Sequence, residues 1–397
     1  MRQRPNLLLA ALAVPLVLFV VLVFLLPVFR FLALSVDNSD IAGNLGRTTA
    51  ALADWQPGDG VPEEAAFQAL VSDLAVARQA GRDGVLAQLI NQRLVGSRYL
   101  VIRTARDAAE GAFSGLSVKA AVIEAHSGWQ NPELWSVIAR ERSSLTDYYL
   151  LASLDLQRDI DGSIQPVSPE RSVFLTVLVR TIWISLVVTA ICAVLAVPLA
   201  QAIVSAPPAL SRLMFALVLF PLWTSLLVRT VIWIIVLQKN GPVNSSLLFF
   251  GFVDVPLSLI YTRFSLYVAM VQVLLPMMVL AVVAVMRRVP PTYFKAALSL
   301  GAPWIVAWWR VQLPLIAPGI TAGAVIVFVF ALGYYITPTL VGGPGDQMIS
   351  SFVAFYTNTT LNWGMAAALS VQLLLILVLV ALLLWSSRVL LGRRTGA

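Results

Sequence analysis

Long apolar runs alternate with short polar segments along most of this chain. Six runs are long enough to cross a hydrocarbon core of about 30 Å as α-helices. The predicted spans are Leu7–Phe29, Val173–Ala200, Leu213–Leu237, Ser265–Met286, Gly319–Thr337 and Met365–Ser386. The pattern therefore predicts an all-α membrane protein with six transmembrane helices.

The first run is uncharged and follows Arg2 and Arg4. A cleaved signal peptide is the alternative to a membrane anchor. The apolar region of such a peptide is usually only about 7–15 residues long, and no convincing Ala-x-Ala site follows this run. We therefore interpret Leu7–Phe29 as a retained span.

Residues 37–171 differ abruptly from the rest of the chain, since they hold 18 of the 20 acidic residues and 12 of the 27 basic residues. Apolar positions recur there with a helical period, and glycines separate the periodic stretches. The predicted helices are Glu63–Ala80, Val85–Leu94, Val118–Ala125 and Pro132–Arg142. We expect a helical, water-exposed domain inserted between the first and second spans, with an acidic surface that is either simply solvated or attracts cations.

A further apolar stretch, Leu247–Ile260, is short and is interrupted by Gly251, Asp254 and Pro256. We interpret it as an interfacial or re-entrant segment rather than a seventh span. A seventh span would place the C-terminal tail outside the membrane. The charge distribution described next argues against that.

With six spans, the inner segments carry ten basic residues and no acidic residue. These are Arg2, Arg4, Arg212, Arg287, Arg288, Lys295, Arg310, Arg388, Arg393 and Arg394. This asymmetry follows the positive-inside rule and predicts that both termini are cytoplasmic. The predicted organisation is a cytoplasmic end with the first span in 1–36, an extracytoplasmic domain in 37–171, a five-helix core in 172–391 with a cytoplasmic loop at 287–318, and a cytoplasmic tail in 392–397.

Composition supports this topology and excludes several other classes of protein. The chain is 59% hydrophobic and 12% charged, with a mean hydropathy of +0.85. Its net charge of +7 is explained by the topology, so nucleic acid is not an expected partner. The single cysteine, Cys192, and the single histidine, His126, argue against a zinc site or a Cys/His dyad. We expect no metal and no catalytic residue.

The predicted cytoplasmic loop contains a short segment with strong helix-forming residues. Lys295-Ala296-Ala297 is followed, three residues later, by Gly301. The missing Cβ of glycine allows a sharp turn, so we expect a short helix that ends at Gly301 and presents Ala296 and Ala297 to another protein.

A second short helix is expected to carry Trp304, Trp308 and Trp309 and to run up to a break at Pro314. The spacing from Lys295 through Gly301 to Leu313-Pro314 resembles the coupling motif of ABC importer permeases, which is Glu-Ala-Ala, three residues, Gly, nine residues, Ile-x-Leu-Pro. The resemblance implies that Lys295, Ala296, Ala297, Gly301, Leu313 and Pro314 contact an ATPase subunit. Lys295 replaces the Glu of the family, which reverses the charge. An Ala-rich loop bounded by prolines is the alternative interpretation.

Two charged residues lie inside the predicted spans. Arg180 lies near the outer end of its helix, where it either snorkels to the interface or faces the interior. Arg229 lies in the outer half of the third span, beyond a bend expected at Pro221 and the hydroxyls of Thr224 and Ser225. This combination indicates a lined pathway or a joint with a second subunit, and structural pairing is the alternative.

Several further segments resemble one branch of the same family, the permeases of spermidine and putrescine importers. They are Phe220-Pro221-Leu222-Trp223-Thr224-Ser225, Leu227-Val228-Arg229, Gly241-Pro242-Val243-Asn244, Leu275-Pro276 and Leu340-Val341-Gly342-Gly343. The resemblance covers residues 172–391 well and Leu7–Asp37 loosely, but not most of 37–171. It implies the type I ABC importer permease architecture in the inner membrane of a bacterium.

The resemblance also implies partners: a second permease subunit of similar fold, two cytoplasmic ATPase subunits and an extracytoplasmic solute-binding protein, in addition to membrane lipid. The chain has no Gly-rich phosphate loop ending in Gly-Lys-Ser/Thr. We therefore expect no cofactor on this chain, with ATP and Mg bound by the partner ATPase.

The resemblance implies a polyamine as the solute, with an opine, an amino-acid derivative or another small amine as the alternative. Aromatic rings and acids would suit an ammonium chain. The candidate pathway residues are Trp223, Thr224, Ser225, Arg229, Asp254, Tyr334, Tyr335 and Asp346, with Tyr356 as a further aromatic. Arg229 argues mildly against a purely cationic solute.

Two functions of other classes are weaker alternatives. A membrane-embedded enzyme lacks support because the chain has no His-Glu metal cluster, no Gly-x-Ser-x-Gly elbow and no acid within the predicted spans. An assembly scaffold would not need the patterned helix pair of the cytoplasmic loop. We therefore expect a transporter subunit rather than an enzyme.

Overall fold

A computed structural model describes residues 7–113, 115, 117–159 and 161–394. The described residues are mostly helical. The α-helices are α1 (Leu7–Val20), α2 (Leu26–Ala33), α3 (Ser39–Asn44), α4 (Gly46–Ala51), α5 (Glu64–Gln79), α6 (Asp83–Arg93), α7 (Ser97–Ala109), α8 (Val118–Ala125), α9 (Pro132–Arg140), α10 (Tyr148–Ser153), α11 (Phe174–Ser205), α12 (Pro208–Leu219), α13 (Leu226–Leu237), α14 (Pro242–Phe249), α15 (Arg263–Met286), α16 (Pro291–Ser299), α17 (Trp304–Ala307), α18 (Leu313–Leu332), α19 (Ile336–Val341), α20 (Ile349–Asn358) and α21 (Trp363–Arg394). Two strands, β1 (Leu156–Arg158) and β2 (Ile164–Pro166), pair antiparallel.

Six helical segments of the described chain are long and apolar enough to cross a membrane, which confirms the predicted number. They are Val14–Ala33, Phe174–Ser205, Leu226–Phe249, Arg263–Met286, Trp304–Leu332 and Trp363–Leu383. Arg2 and Arg4, which support the predicted orientation of the first span, lie outside the described residues.

The predicted span Leu213–Leu237 is wrong as a single bent helix. The structure ends α12 at Leu219, forms a 3₁₀ turn over Phe220–Trp223, and starts α13 at Leu226. Pro221 has no N–H to continue the helix, and the Thr224 hydroxyl donates to the Pro221 carbonyl at 2.8 Å, a local bond that competes with helical pairing. The membrane-length segment is therefore Leu226–Phe249, and it begins after the break.

The predicted helix break at Pro314 is also wrong. A π-helical turn, Trp308–Gln312, joins α17 to α18, so that one helical segment runs from Trp304 to Leu332. The wider turn before Pro314 relieves the clash of the proline ring with the preceding turn, and the missing N–H costs little at the second position of α18. The fifth span therefore starts fifteen residues earlier than the predicted Gly319.

The chain divides into two compact units. One comprises Met1–Ser172 with Trp363–Ala368, and the other comprises Val173–Asn362 with Leu369–Ala397. We call them the outer unit and the permease unit, after the location and the role expected from the sequence.

The outer unit contains the four helices predicted in residues 37–171, as α5, α6, α8 and α9, with ends within two residues of the predicted ones. Its core includes three buried rings, in which the Trp135 centroid lies 4.8 Å from that of Phe67 and 5.2 Å from that of Trp129. The indole of Trp129 donates to the Thr104 hydroxyl at 2.8 Å, which satisfies its buried N–H. Helix α7 and the β1–β2 hairpin were not predicted.

In the permease unit, α11, α15 and α18 form the apolar core. Two glycines on α18, Gly319 and Gly323, allow α15 to approach closely. A Cβ added to Gly319 would lie 2.9 Å from the Val285 Cβ, and one added to Gly323 would lie 2.5 Å from the Met278 Sδ. Small residues four positions apart permit this kind of close packing between membrane helices.

Candidate functional site

The first candidate site is the short helix α16, which lies between two membrane-length helices. It begins at Pro291, a residue suited to a first helical position because its φ is preset and its missing N–H is not needed there. After α16, Gly301 adopts φ +85° and its N–H donates to the Leu298 carbonyl at 2.9 Å. The Ala302 N–H donates to the Ala297 carbonyl at 3.1 Å. These two bonds form a Schellman motif, so the predicted helix end at Gly301 is confirmed.

The surface of α16 and its turn offers small and apolar groups with one cation. Lys295 and Ala296 are exposed, and Ala297 is half-buried. Leu300 is 89% exposed and Trp304 is 61% exposed. We call α16 with the turn through Trp304 the coupling surface.

One aromatic contact fixes the geometry of the coupling surface. The rings of Phe294 and Trp304 meet edge to face with centroids 6.4 Å apart, which joins α16 to the start of α17. Leu313 packs against the permease core, whereas Pro314 is exposed. Of the six predicted coupling residues, four therefore lie on or beside α16, and two lie on the following membrane helix.

The segment that contains the coupling surface is cationic. Residues 287–318 contain Arg287, Arg288, Lys295 and Arg310 and no acidic residue. The ion pairs formed within the described residues do not involve Lys295. This surface is therefore suited to an acidic counterpart.

The second candidate site lies where two helices of the permease unit are interrupted. The Arg229 N–H donates to the Ser225 carbonyl at 3.1 Å, which places Arg229 in the first turn of α13, directly after the break. Across from it, α18 ends at Leu332 and α19 begins at Ile336. The hydroxyl oxygens of Thr230 and Thr337 lie 3.4 Å apart and link α13 to α19.

Arg229 and Tyr334 are the two predicted pathway residues that the structure brings together. The Arg229 side chain lies near Tyr334, whose carbonyl accepts a hydrogen bond from the Ser350 hydroxyl at 2.7 Å. The Arg229 Nε and Nη1 atoms are buried without a hydrogen-bond partner among the described residues. We call Arg229, Thr230, Tyr334, Thr337 and Ser350 the polar cluster.

The other predicted pathway residues do not join the polar cluster in this chain. Trp223 is 82% exposed, and Asp254 and Tyr335 are exposed as well. Asp346 is buried and accepts a hydrogen bond from Arg263 Nε at 2.8 Å, so its charge is already compensated.

Further predicted polar groups are used locally. The Thr224 hydroxyl is bonded to the Pro221 carbonyl, and Tyr356 packs against Phe174 with ring centroids 6.3 Å apart. Arg180 Nη1 donates to the Gln347 carbonyl at 3.3 Å. These contacts give Arg180 and Tyr356 structural roles in the permease unit.

The structural role of Asn244 in the permease unit was not predicted from the sequence. Asn244 is fully buried, and its side chain donates to the carbonyls of Gln238 and Leu257 at 3.1 and 3.0 Å and accepts from the Leu257 N–H at 2.9 Å. These hydrogen bonds of Asn244 fix the position of the irregular segment that follows α14. The available signal was an Asn in the Gly-Pro-Val-Asn segment of an otherwise apolar stretch.

No group of three His, Cys, Asp or Glu side chains that could hold a metal ion occurs within the described ranges. Hydroxyls and a guanidinium form one site, and an exposed helix with a cation forms the other.

Residues 193–396 match the family model described as "Binding-protein-dependent transport system inner membrane component". The matched residues include both the coupling surface and the polar cluster.

Among curated proteins, the spermidine/putrescine transport system permease protein PotB of Escherichia coli (strain K12) is 28% identical over 221 residues, covering 56% of this chain and 80% of that protein. The inner membrane ABC transporter permease protein YdcU of the same organism is 31% identical over 215 residues, covering 51% of this chain and 68% of that protein. The molybdenum transport system permease protein ModB of Mycobacterium bovis is 28% identical over 195 residues, covering 49% and 72%.

Among solved structures, a chain of a bacterial alginate ABC transporter in complex with an alginate pentasaccharide-bound periplasmic protein aligns with a TM-score of 0.45 and 17% sequence identity. The alignment covers 53% of this chain and 76% of that chain.

Proposed function

The chain belongs to the family of inner membrane components of binding-protein-dependent transport systems and is a permease subunit of an ABC importer, and from this premise we propose that it translocates a small amine-containing organic solute. It is a multi-pass inner membrane protein with the type I permease architecture, and it is not an enzyme.

A polyamine is the solute to which the similar permeases point. The support comes from the spermidine/putrescine permeases, which are 27–28% identical to this chain over about half of its length. A molybdenum permease is similar at 28% identity, so this level of identity spans different solutes. A second candidate, an amine that also carries a carboxylate, is favoured by the unpartnered guanidinium of Arg229.

The coupling surface has the features of a docking site for an ATPase subunit. It is an exposed helix, closed by a Schellman motif, between two helices of membrane length. We propose that it binds an ATPase subunit and that the complete importer contains a second permease of similar fold, two ATPases with ATP and Mg, and an extracytoplasmic binding protein. Both termini of this chain and the coupling surface then lie in the cytoplasm.

In the proposed cycle, closure of the two ATPases moves the coupling surface, and the helices that flank it carry this movement into the permease unit. The pathway then opens toward the docked binding protein. In this arrangement residues 37–171 lie on the side of the binding protein and assist its docking. A variant lacking them should then assemble normally but respond weakly to the binding protein.

The decisive experiment is ATP hydrolysis by the reconstituted complete complex in proteoliposomes. Its binding protein would be added either empty or saturated with spermidine, putrescine or an opine. Stimulation by one loaded form identifies the solute class and supports coupling through a surface with Lys295. Hydrolysis that no loaded form changes would contradict the proposed coupling.

A further inference from the structure

The polar cluster contains a cation whose hydrogen-bonding capacity is unused. Two of the three guanidinium nitrogens of Arg229, Nε and Nη1, are buried and bond to no described residue. An arginine keeps its charge at any accessible pH. A buried cation without a partner is costly, so an anionic group has to meet Arg229 at some stage of its function.

The permease part of the chain cannot supply that anion. Residues 173–397 contain only two acidic residues, Asp254 and Asp346. Asp346 already forms an ion pair with Arg263, with Nε and Oδ1 2.8 Å apart, and Asp254 is exposed in the segment after α14. The neutralising group must therefore come from outside residues 173–397.

Arg229 lies beside two interruptions of the membrane helices. The backbone is irregular on both sides of the cluster, between α12 and α13 and between α18 and α19. Irregular backbone at membrane depth is tolerated where protein buries it or where it lines an aqueous cavity. The hydroxyls of Thr230, Thr337 and Ser350 add uncharged donors and acceptors to the same region.

The chemistry of the cluster favours a carboxylate. A guanidinium offers a planar fork that matches the two oxygens of a carboxylate. Arg229 also lies in the first turn of α13, where the helix dipole adds positive potential. A solute that carries only ammonium groups would meet repulsion here and would find no free acid within the cluster.

We propose that the translocated solute carries a carboxylate that pairs with Arg229 during its passage, so that the solute is a carboxylated amine rather than a simple polyamine. This inference rests on the proposed function, because it assumes that the polar cluster lies on the pathway of an importer. It adds the chemical class of the solute and the residue that recognises it.

Arginine-directed labelling of the complete reconstituted complex tests the proposal without a substitution. The complex would be treated with phenylglyoxal, and the modification of Arg229 would be measured by mass spectrometry of its peptides. The probes are ornithine and octopine, which carry carboxylates, and putrescine and spermidine, which do not. Ornithine and putrescine differ by a single carboxylate, so they form a matched pair. Arg180, which is bonded to a backbone carbonyl, is the internal control.

We expect Arg229 to be labelled in the complex without solute and to be protected about tenfold by ornithine or octopine, with little change at Arg180. Equal protection by putrescine, or no protection by either carboxylated amine, would overturn the proposal. Absence of labelling in the assembled complex would also overturn it, because Arg229 would then be covered by the second permease.

Two transport variants give an independent readout. Arg229→Lys retains the charge and should keep about a tenth or more of carboxylated-amine uptake, whereas Arg229→Gln should lose it almost entirely. Uptake unchanged in Arg229→Gln would contradict the proposal. Copurification of the ATPase and ATP hydrolysis by the same preparations test the proposed function separately. A complex that assembles and hydrolyses ATP, but in which no solute protects Arg229, would refute only the proposal that the solute carries a carboxylate.

Discussion

At the scale of single residues, glycines and one acid show how side-chain size and charge decide local structure. Gly323 has no room for a Cβ beside Met278, whereas Gly345 has nothing within 4 Å of that position. Glu64 accepts hydrogen bonds from the Ser117 hydroxyl at 2.8 Å and from the N–H groups of Val118 and Lys119 at 2.6 and 3.2 Å. It thereby satisfies the open first turn of α8.

Replacing Gly323 with leucine should destabilise the permease unit. The new side chain would overlap Met278, and overpacking of this kind typically costs about 1–3 kcal/mol. We expect a lower thermal unfolding midpoint of the purified protein in detergent. Gly345→Leu, in a turn with open space, is the matched control. Equal midpoints for both variants would contradict close packing of α15 on α18.

Because of Glu64, the stability of α8 should decrease at low pH. The hydrogen bond from Ser117 and those from the backbone of Val118 and Lys119 together outweigh burial and lower the pKa of Glu64 from its ordinary value of 4.5. A group with a lowered pKa in the folded state stabilises fully above its ordinary value, and its contribution is lost as the pH falls through the lowered pKa.

The measurement is hydrogen exchange of the α8 amides in the intact protein between pH 6 and pH 3, corrected for intrinsic rates. Protection of α8 in the native sequence should decrease as the pH falls below 4.5, the ordinary pKa of a glutamate, and Glu64→Gln should weaken this dependence. Glu124→Gln, an exposed acid on the same helix, is the control. The same pH dependence in Glu64→Gln would show that another group is responsible.

At the scale of helices, one glycine sets the direction of the chain after α16. Gly301 ends α16 in a backbone conformation that side chains rarely adopt, although a Cβ there would have open space. A substitution therefore acts through the direction of the chain after α16 rather than through a clash.

Gly301→Leu should lower stimulated ATP hydrolysis and transport at least tenfold, with assembly of the complex largely retained. The left-handed backbone costs a residue with a Cβ about 1–2 kcal/mol, which is enough to shift the turn but not to unfold the chain. Gly251→Leu is the control, because Gly251 also has a positive φ, +69°, and open space. Unchanged transport in Gly301→Leu would contradict the role of the coupling surface.

At the scale of the whole molecule, charge is distributed unevenly between the parts of the chain. Residues 37–171 hold 18 of the 20 acidic residues, and the coupling surface holds none. Lys295 is exposed and takes part in none of the ion pairs formed within the described residues. We therefore expect the ATPase to place an acidic residue opposite Lys295.

Lys295→Glu should weaken association with the ATPase about tenfold, because an acid would then face an acid. Lys295→Ala should have a smaller effect, since exposed ion pairs contribute only about 0–1 kcal/mol. Binding of the ATPase to the purified permease complex at low and high salt measures both effects. Lys239→Glu, on a predicted outer loop, is the control. Tighter binding by Lys295→Glu would show that the partner surface is basic.

Much of the fold was accessible from the pattern alone. The number of spans and four helices of the outer segment were predicted and confirmed, because burial in lipid or in a helical core imposes a simple period on the sequence. The end of α16 at Gly301 followed from glycine chemistry. The helix break at Pro221 and the continuous helix through Pro314 were not predicted, because the effect of a proline depends on the turn that precedes it.

The sequence by itself determined the class of protein, the number of membrane-length helices and the end of α16 at Gly301, since these depend on hydrophobicity and local backbone preference. Only the tertiary structure decided which polar residues meet. It paired Asp346 with Arg263, brought Tyr334 to Arg229 and left that guanidinium without an acid. The physical reason is that the stability of a charge in an apolar protein depends on which residues surround it, and those residues lie far away along the chain.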